Sequence, residues 1–155
     1  MQRIRVATFA EIEEEFIERV HRVVWCSVAT LDRQNRVRSR ILHPIWEGST
    51  GWIGTRRHSP KAKHLQYNPS VSLAYIADIA NPVYADCLAE WADDSESKER
   101  VWEMFKAAPA PLGYDPAPIF HSADHPDFGV LKLTPWRIEV ASVPVESRIW
   151  RRDSL

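Results

Sequence analysis

The sequence predicts a mainly β protein: an antiparallel barrel, closed or half-closed, with short helices that cap it. Roughly seven segments have the length and β-branched content of strands, and most of their connections are too short for a parallel crossover. The chain has 155 residues, of which 45% are hydrophobic and 26% are charged. These values are typical of one globular domain, which we expect to span residues 1–155 with an ordered core at about 8–145.

The first predicted elements are a helix and a three-stranded meander. Residues 8–11 (Thr-Phe-Ala-Glu) have the pattern of a capping box, and apolar residues then recur at helical spacing, at Ile12, Phe16 and Val20. Strands follow at residues 24–31, 37–43 and 52–55. The polar turns between them are short, so these strands pair as antiparallel neighbours.

The second half of the chain alternates between helices and strands. Ser59 as N-cap and Pro60 at the first helical position begin a second helix, which ends at Asn68-Pro69. After it we expect two strands, a third helix with its N-cap at Asp93 or Ser95, and two closing strands, the strands lying at residues 71–77, 83–91, 129–133 and 137–143. The proline-rich residues 108–128 predict an ordered loop that apolar side chains anchor.

Charge and cysteine content exclude several classes of function. The formal net charge is −1, so no overall basic field exists to hold a nucleic acid. No apolar run is long enough to span a membrane, and no targeting segment is visible. Cys26 and Cys87 are the two cysteines; without a CxxC spacing they disfavour a zinc site or a disulfide framework and favour the reducing cytoplasm. Hydrolase, P-loop and dinucleotide-binding motifs do not occur.

The strongest local signal for chemistry is a basic stretch at residues 55–61, between a strand and a helix. The free N–H groups of the helix N-terminus attract an anion, and Lys61 in the first turn is unfavourable unless an anion binds there. Arg38 and Arg40 alternate along one strand, so they share a face and add two guanidinium groups. These residues predict a phosphate site; the alternative is a solvated basic loop with Lys61 turned outward.

Three stretches resemble the pyridoxamine 5'-phosphate oxidase-like family, the FMN-binding split barrels. They are Arg-Ser-Arg-Ile-Leu at 38–42, Trp-Ile-Gly-Thr at 52–55, and residues 59–73, which match the pattern S-x-K-x-x-x-L-x-x-N-P-x-V-x-L. Residues 87–94 and 131–140 are similar to later strands of the family. Residues 43–46 have no Lys where true pyridoxamine phosphate oxidases carry a basic residue, so the resemblance is to the small, general members.

The resemblance implies an FMN-binding homodimer with its cofactor sites at the subunit interface. Arg40 and Lys61 would hold the phosphate, and Ser59 and Thr55 would donate hydrogen bonds to the cofactor. The full set of cofactor-binding residues that the resemblance implies is Arg38, Arg40, Ile41, Leu42, Gly54, Thr55, Ser59, Pro60 and Lys61. The expected function is a flavin-dependent oxidoreductase that transfers hydride between flavin and a small planar substrate, with no catalytic acid or base assigned.

Other interpretations stay open. The same dimer can use a deazaflavin coenzyme, with Arg56, Arg57 and Lys61 along its longer tail, or it can store flavin or haem without turnover, or its site can have decayed. His43 is then a possible haem ligand or proton donor, although a hydrogen-bonded core residue is the commoner case. The pair His121 and His125 is more typical of a solvated loop than of a metal site. Four tryptophans are more typical of packing than of stacking on the cofactor: Trp46, Trp52, Trp91 and Trp136.

Overall fold

A computed structural model describes residues 1–154, which form nine strands and four helices. In chain order these are β1 (Gln2–Arg5), α1 (Ala10–Val23), β2 (Cys26–Leu31), β3 (Val37–Leu42), β4 (Ile45–Glu47), β5 (Thr50–Arg56), α2 (Pro60–Tyr67), β6 (Ser70–Tyr75), β7 (Val83–Trp91), α3 (Ser95–Ala107), α4 (Ala117–Phe120), β8 (Phe128–Ser142) and β9 (Glu146–Arg151). No helix among the described residues is long and apolar enough to cross a membrane.

The strands form one sheet that splits along β8. Its order is β1-β9-β8-β7-β6-β2-β3, and β5 joins it by pairing with both β8 and β4. The first part of β8 pairs with β5 and its last part pairs with β9, while β7 follows its other edge. All pairs are antiparallel except β1 with β9. The mainly β, antiparallel split barrel with short helices is thereby confirmed.

Both ends of the chain differ from the sequence prediction. β1 and β9 both lie outside residues 8–145, so regular structure extends beyond the expected core at both ends. Their charged sequences have no clear strand pattern, and they form strands by pairing: β1 with β9, and β9 with both β1 and β8. The two closing strands predicted at 129–133 and 137–143 are one continuous strand, β8. Pro135 fits within it because the register shifts opposite, between Asp86 and Cys87.

The helix caps also differ in detail. At α1 the Glu11 carboxylate accepts the N–H groups of Ala7 and Thr8, which is the acidic half of the predicted capping box. At α3 the N-cap is Asp94, whose carboxylate accepts the N–H of Ser97 at 2.8 Å, and not Asp93 or Ser95. At α2 the predicted N-cap Ser59 has the extended backbone of a cap, but its side chain accepts no N–H of the helix.

Two apolar clusters hold the fold. The larger lies between the barrel strands and α1, with Phe16, Leu73 and Tyr75 fully buried, and the Trp46 indole N–H donates to the Tyr75 hydroxyl at 2.9 Å. The smaller lies between β5, α3 and the segment 108–128, around Phe105 and Phe128. This second cluster fixes the segment 108–128 against the sheet, so it is an ordered loop as predicted, with the short helix α4 within it.

Candidate functional site

Lys61 lies in the first turn of α2 and points back toward the sheet. Its ammonium donates to the Ser59 hydroxyl at 3.0 Å, and its side chain is half-buried. Burial lowers the pKa of Lys61, and the positive charge of Arg40 lowers it further. The solvated loop with an outward lysine is therefore not what forms. Ser59 in turn donates to the Arg56 carbonyl, so its hydroxyl orients the lysine instead of capping the helix.

Arg38 and Arg40 lie on the core-facing side of β3, which is an edge strand. They pair across the ladder with Thr30 and Val28, which are buried, and directly paired residues share a face. Arg40 donates to the Val28 carbonyl at 3.3 Å. Among residues 1–154, neither Arg40 nor Lys61 forms an ion pair with a carboxylate. Two cations thus meet on a half-buried surface, where the charge of Asp127 raises the pKa of Lys61 but forms no ion pair with it.

A cavity of about 390 Å³ separates β3 from the start of α2. Seven of the nine predicted cofactor-binding residues line it: Arg38, Arg40, Ile41, Leu42, Ser59, Pro60 and Lys61. Ammonium and guanidinium donors on one side suit a dianionic phosphate. The donor set thus fits the phosphate group of a cofactor, and we call this space the phosphate cavity.

An apolar cavity of about 430 Å³ adjoins the first, and Ile41 and Leu42 belong to both. The other two predicted residues, Gly54 and Thr55, lie here. Its further walls are Trp25, His43, Arg56, Pro111, Tyr114, Ile119 and Phe120. The volume and the mainly apolar walls are typical of a site for a planar organic ligand. Gly54 also has a packing role, because an added Cβ would lie 3.1 Å from the Phe128 ring.

Two parts of the apolar cavity are not predicted by the sequence. Trp25 is 56% exposed at its mouth. Strict alternation along β2, with Cys26 and Val28 buried, puts Trp25 on the opposite face and is the one signal that could have found it. The other part is the wall that residues 111–120 supply, for which no local motif exists. An ion pair between Arg56 and Asp127, at 2.7 Å, holds the end of the longer segment 108–128 to β5.

His43 forms part of the apolar cavity and is 8% exposed. Its Nε2 is bonded to the Leu112 carbonyl, and its ring lies against Trp25, Phe105 and Tyr114 with ring centroids 4.8, 5.4 and 5.4 Å away. Burial lowers the pKa of His43, although the bond to Leu112 acts in the opposite direction. The imidazole is thus fixed and uncharged at neutral pH.

A third, polar cavity of about 880 Å³ continues from the phosphate cavity. Arg38, Ser59, Pro60 and His64 line both of them. Arg36 in its wall is paired with Asp32, whereas Arg33, Arg38 and Lys63 have no carboxylate partner among residues 1–154. These three cations leave an excess of positive charge along this third cavity, which we call the basic groove.

Neither Arg56 nor Arg57 lines the basic groove. Arg56 is paired with Asp127, and Arg57 makes a double hydrogen bond to Asp93 at 2.8 and 3.0 Å. Arg57 also lies over the Trp91 ring, 4.4 Å from its centroid. The use of both arginines along a coenzyme tail stays a prediction, and in this structure each arginine is paired with a carboxylate.

The remaining candidates have structural roles. Trp46 and Trp52 are buried, and both cysteines are buried and free, with burial raising the pKa of Cys26 to about 12. The rings of His121 and His125 lie 5.4 Å apart, but residues 1–154 contain no group of three or more metal-ligating side chains. Trp136 is 39% exposed and lies outside the apolar cavity. The burial of Trp46 and Trp52 agrees with a packing role for both rings.

Solved structures with a similar fold are named after different bound molecules. A pyridoxamine 5'-phosphate oxidase-related, FMN-binding protein from Nostoc punctiforme superimposes with a TM-score of 0.61 at 17% identity, covering 89% of this chain and 85% of that one. HutZ, the heme storage protein from Vibrio cholerae, gives 0.63 at 18% identity, covering 84% and 94%. An F420 reductase gives 0.59 at 14% identity, covering 78% and 93%. At these identities the likeness establishes the fold.

Sequence comparison assigns the family. No curated protein is found that matches the chain. The sequence model of the family described as pyridoxamine 5'-phosphate oxidase matches residues 12–141, which is most of the chain and includes the phosphate and apolar cavities up to β8. The split barrel agrees with that assignment. The chain therefore belongs to the pyridoxamine 5'-phosphate oxidase-like family.

Proposed function

We propose that this protein is a flavin-dependent oxidoreductase that binds FMN. The observation that carries the proposal is the meeting of Arg40 and Lys61 on a half-buried surface without a carboxylate partner among residues 1–154, beside an apolar cavity. Burial and, after it, the positive charge of Arg40 lower the pKa of Lys61, and a phosphate dianion in the first cavity would counter both effects. Flavoproteins of this fold, such as the Nostoc FMN-binding protein, support the choice of cofactor.

In this proposal the residues of the chain bind and orient, and FMN supplies the hydride chemistry. Lys61 and Arg40 hold the phosphate end, and the Ser59 hydroxyl orients Lys61. Ile41, Leu42 and Thr55 contact the ring, and the aromatic walls of the apolar cavity exclude water from it. The substrate would be small and planar, because the cavity of about 430 Å³ has to admit it beside the ring.

The proposal includes a homodimer whose interface covers the cofactor. Ile41, Trp25 and Ile119 are 63%, 56% and 48% exposed, and all three surround the apolar cavity. An apolar rim of this kind is typical of a surface that a second copy covers. Replacing Ile119 by Glu should shift the protein to monomer in sedimentation velocity and weaken FMN binding. A variant that stays dimeric would contradict this interface.

The test of FMN binding is a titration that uses protein absorbance and flavin fluorescence. Lys61→Ala should weaken FMN binding at least tenfold, because a charge-assisted contact is worth about 1.5–3 kcal/mol. Lys106→Ala is the matched control, since that exposed lysine lies on α3, outside both cavities, and pairs with Glu103. Unchanged affinity in Lys61→Ala would overturn the phosphate site. A Soret band in the purified protein would point to haem storage instead.

A deazaflavin coenzyme is the second candidate, and the basic groove favours it. A coenzyme with an anionic tail beyond its phosphate can continue from the first cavity into the 880 Å³ cavity, past Arg33, Arg38 and Lys63. An F420 reductase with this fold supports the choice. Lys63→Ala should weaken binding of the deazaflavin coenzyme and leave FMN binding unchanged. Tighter binding of FMN than of the deazaflavin coenzyme would decide for the first candidate.

A further inference from the structure

The apolar cavity contains two buried polar side chains whose hydrogen-bonding capacity is not used within the protein. His43 and Thr55 are 8% and 7% exposed. Among residues 1–154, no group bonds the Nδ1 atom of His43 or the hydroxyl of Thr55. Both atoms keep some accessible surface, and the two residues line the same cavity. Buried polar groups normally have partners, so these two atoms indicate a ligand that supplies them.

The bond to Leu112 fixes which nitrogen of His43 is free. A carbonyl oxygen can only accept, so the Nε2 atom bonded to Leu112 carries the proton. The neutral ring has one N–H, so Nδ1 has a lone pair and acts as an acceptor. The aromatic rings of Trp25, Phe105 and Tyr114 hold the imidazole plane in place.

The charges around the imidazole keep it neutral. Arg56 is the one cationic side chain that lines the cavity with His43, and no carboxylate lines it among the described residues. Tyr114 is the other titratable group against the ring, and burial raises the pKa of its hydroxyl. Without a carboxylate to stabilise an imidazolium, His43 offers an acceptor and not a positive charge.

We propose that Nδ1 of His43 accepts a hydrogen bond from a ring N–H or hydroxyl of the planar ligand in the apolar cavity. His43 is then a specificity-determining residue, which favours ligands with a donor over their methylated analogues. The inference rests on the proposed function, since the donor belongs either to the flavin ring or to the substrate. Both sources present the same chemistry to His43, and the experiment separates them.

The experiment compares pairs of probes that differ by one donor. FMN and 3-methyl-FMN are titrated into the protein, and phenol and anisole are titrated into the FMN-loaded protein and into the protein without FMN. We expect one donor probe to bind about three- to tenfold more tightly than its methylated partner, the value of one neutral hydrogen bond. A preference in the first pair assigns the donor to the flavin ring, and a preference in the second pair assigns it to the substrate.

Two variants of His43 separate the acceptor role of Nδ1 from the hydrogen bond that Nε2 donates to Leu112. His43→Asn keeps an acceptor oxygen near the Nδ1 position, and His43→Gln keeps a donor near the Nε2 position for Leu112. The preference should survive in His43→Asn and disappear in His43→Gln. Should both variants fail to fold, the wild type still decides: the ¹⁵N resonance of His43 Nδ1 should shift on binding the donor probe and stay in place with the methylated one.

The outcomes distinguish this inference from the proposed function. FMN that binds without any donor preference, or with a preference that His43→Gln retains, overturns the role of His43 and leaves the flavoprotein assignment intact. FMN that does not bind overturns the proposed function, and the phenol and anisole titration of the protein without FMN then decides on His43 alone.

Discussion

The phosphate cavity and the apolar cavity adjoin each other, yet they are built in opposite ways. The first depends on charge: Arg40 and Lys61 come from one strand and one helix and face each other without an internal counterion among residues 1–154. The second depends on apolar walls that four distant segments supply, at residues 25, 41–43, 54–56 and 111–120. The comparison shows that recognition of an anion can be encoded locally, whereas the shape of an apolar site is a property of the whole fold.

The largest effect that separates the two cavities comes from removing both cations. The double variant Arg40→Gln with Lys61→Gln should weaken FMN binding about a hundredfold or more, because two charge-assisted contacts to one phosphate are lost. Binding of riboflavin, which has no phosphate, should stay the same. A parallel loss for riboflavin would mean that the variant has damaged the apolar cavity, and it would remove the distinction between the two regions.

The opposite change tests the apolar cavity. Trp25→Ala removes an exposed ring at its mouth and should weaken FMN and riboflavin binding equally, by about fivefold, since one aromatic contact contributes roughly 0.5–1.5 kcal/mol beyond its area. Isothermal titration of both ligands measures the two losses. Trp136→Ala is the control, because that partly exposed ring lies outside the cavity. An effect limited to FMN would contradict the assigned role of Trp25.

How much the sequence predicts differs between the cavities for the same reason. Ser59, Pro60 and Lys61 are adjacent in the chain, so a local motif and the physics of a helix N-terminus are enough to identify them. Seven predicted residues accordingly line one cavity. Trp25 and Tyr114 reach the other cavity only through tertiary packing, and no spacing in the sequence connects them.

The fold shows the same division. The β-branched, alternating sequences of β2, β3, β5, β6 and β7 predict the positions of these strands within a few residues. The predicted meander is wrong at its third strand: β3 is an edge strand that pairs with β2, whereas β5 pairs with β4 and β8. The strands β1 and β9 are not predicted from the sequence. Gln-Arg-Ile-Arg at residues 2–5 has no strand pattern and forms a strand only by pairing with β9, which itself pairs with β8. Arg56 and Arg57 show the limit for charges: their carboxylate partners, Asp127 and Asp93, are too distant in sequence to be foreseen.

A smaller effect tests whether Gly54 serves the fold or the ligand. Gly54→Ala puts a Cβ about 3.1 Å from the Phe128 ring, which is buried and cannot easily retreat. We expect a loss of about 1 kcal/mol in the free energy of unfolding, seen as a decrease of roughly 2–4 °C in Tm. FMN affinity should change little. A variant of full stability with weakened binding would instead assign Gly54 to the ligand.

The smallest effect is on pH dependence. Burial lowers the pKa of both His21 and His43, so the unfolded chain binds more protons than the folded one below the ordinary histidine value of about 6.5. The free energy of unfolding should therefore decrease as pH falls from about 7 to 5. His21 adds a structural reason, since its Nε2 accepts the Trp46 backbone N–H at 3.0 Å and protonation would break that bond.

Urea unfolding at a series of pH values measures this dependence. His21→Gln keeps an acceptor for Trp46 but has no proton to bind, so it should flatten the curve over that range. Backbone hydrogen bonds lower the pKa of Asp32 and of Asp127, so these carboxylates affect stability only at lower pH. Stability that is constant or rises as pH falls from 7 to 5 would contradict the neutral state of both histidines.

The ratio of FMN affinity to riboflavin affinity in the unmodified protein tests the central claim most directly. The two ligands share the ring and differ by the phosphate, so the ratio isolates what the Arg40 and Lys61 cavity contributes. We expect FMN to bind at least tenfold more tightly than riboflavin, with the advantage lost at high salt. Equal affinities would show that the cationic cavity does not bind the cofactor phosphate and would contradict the proposed site.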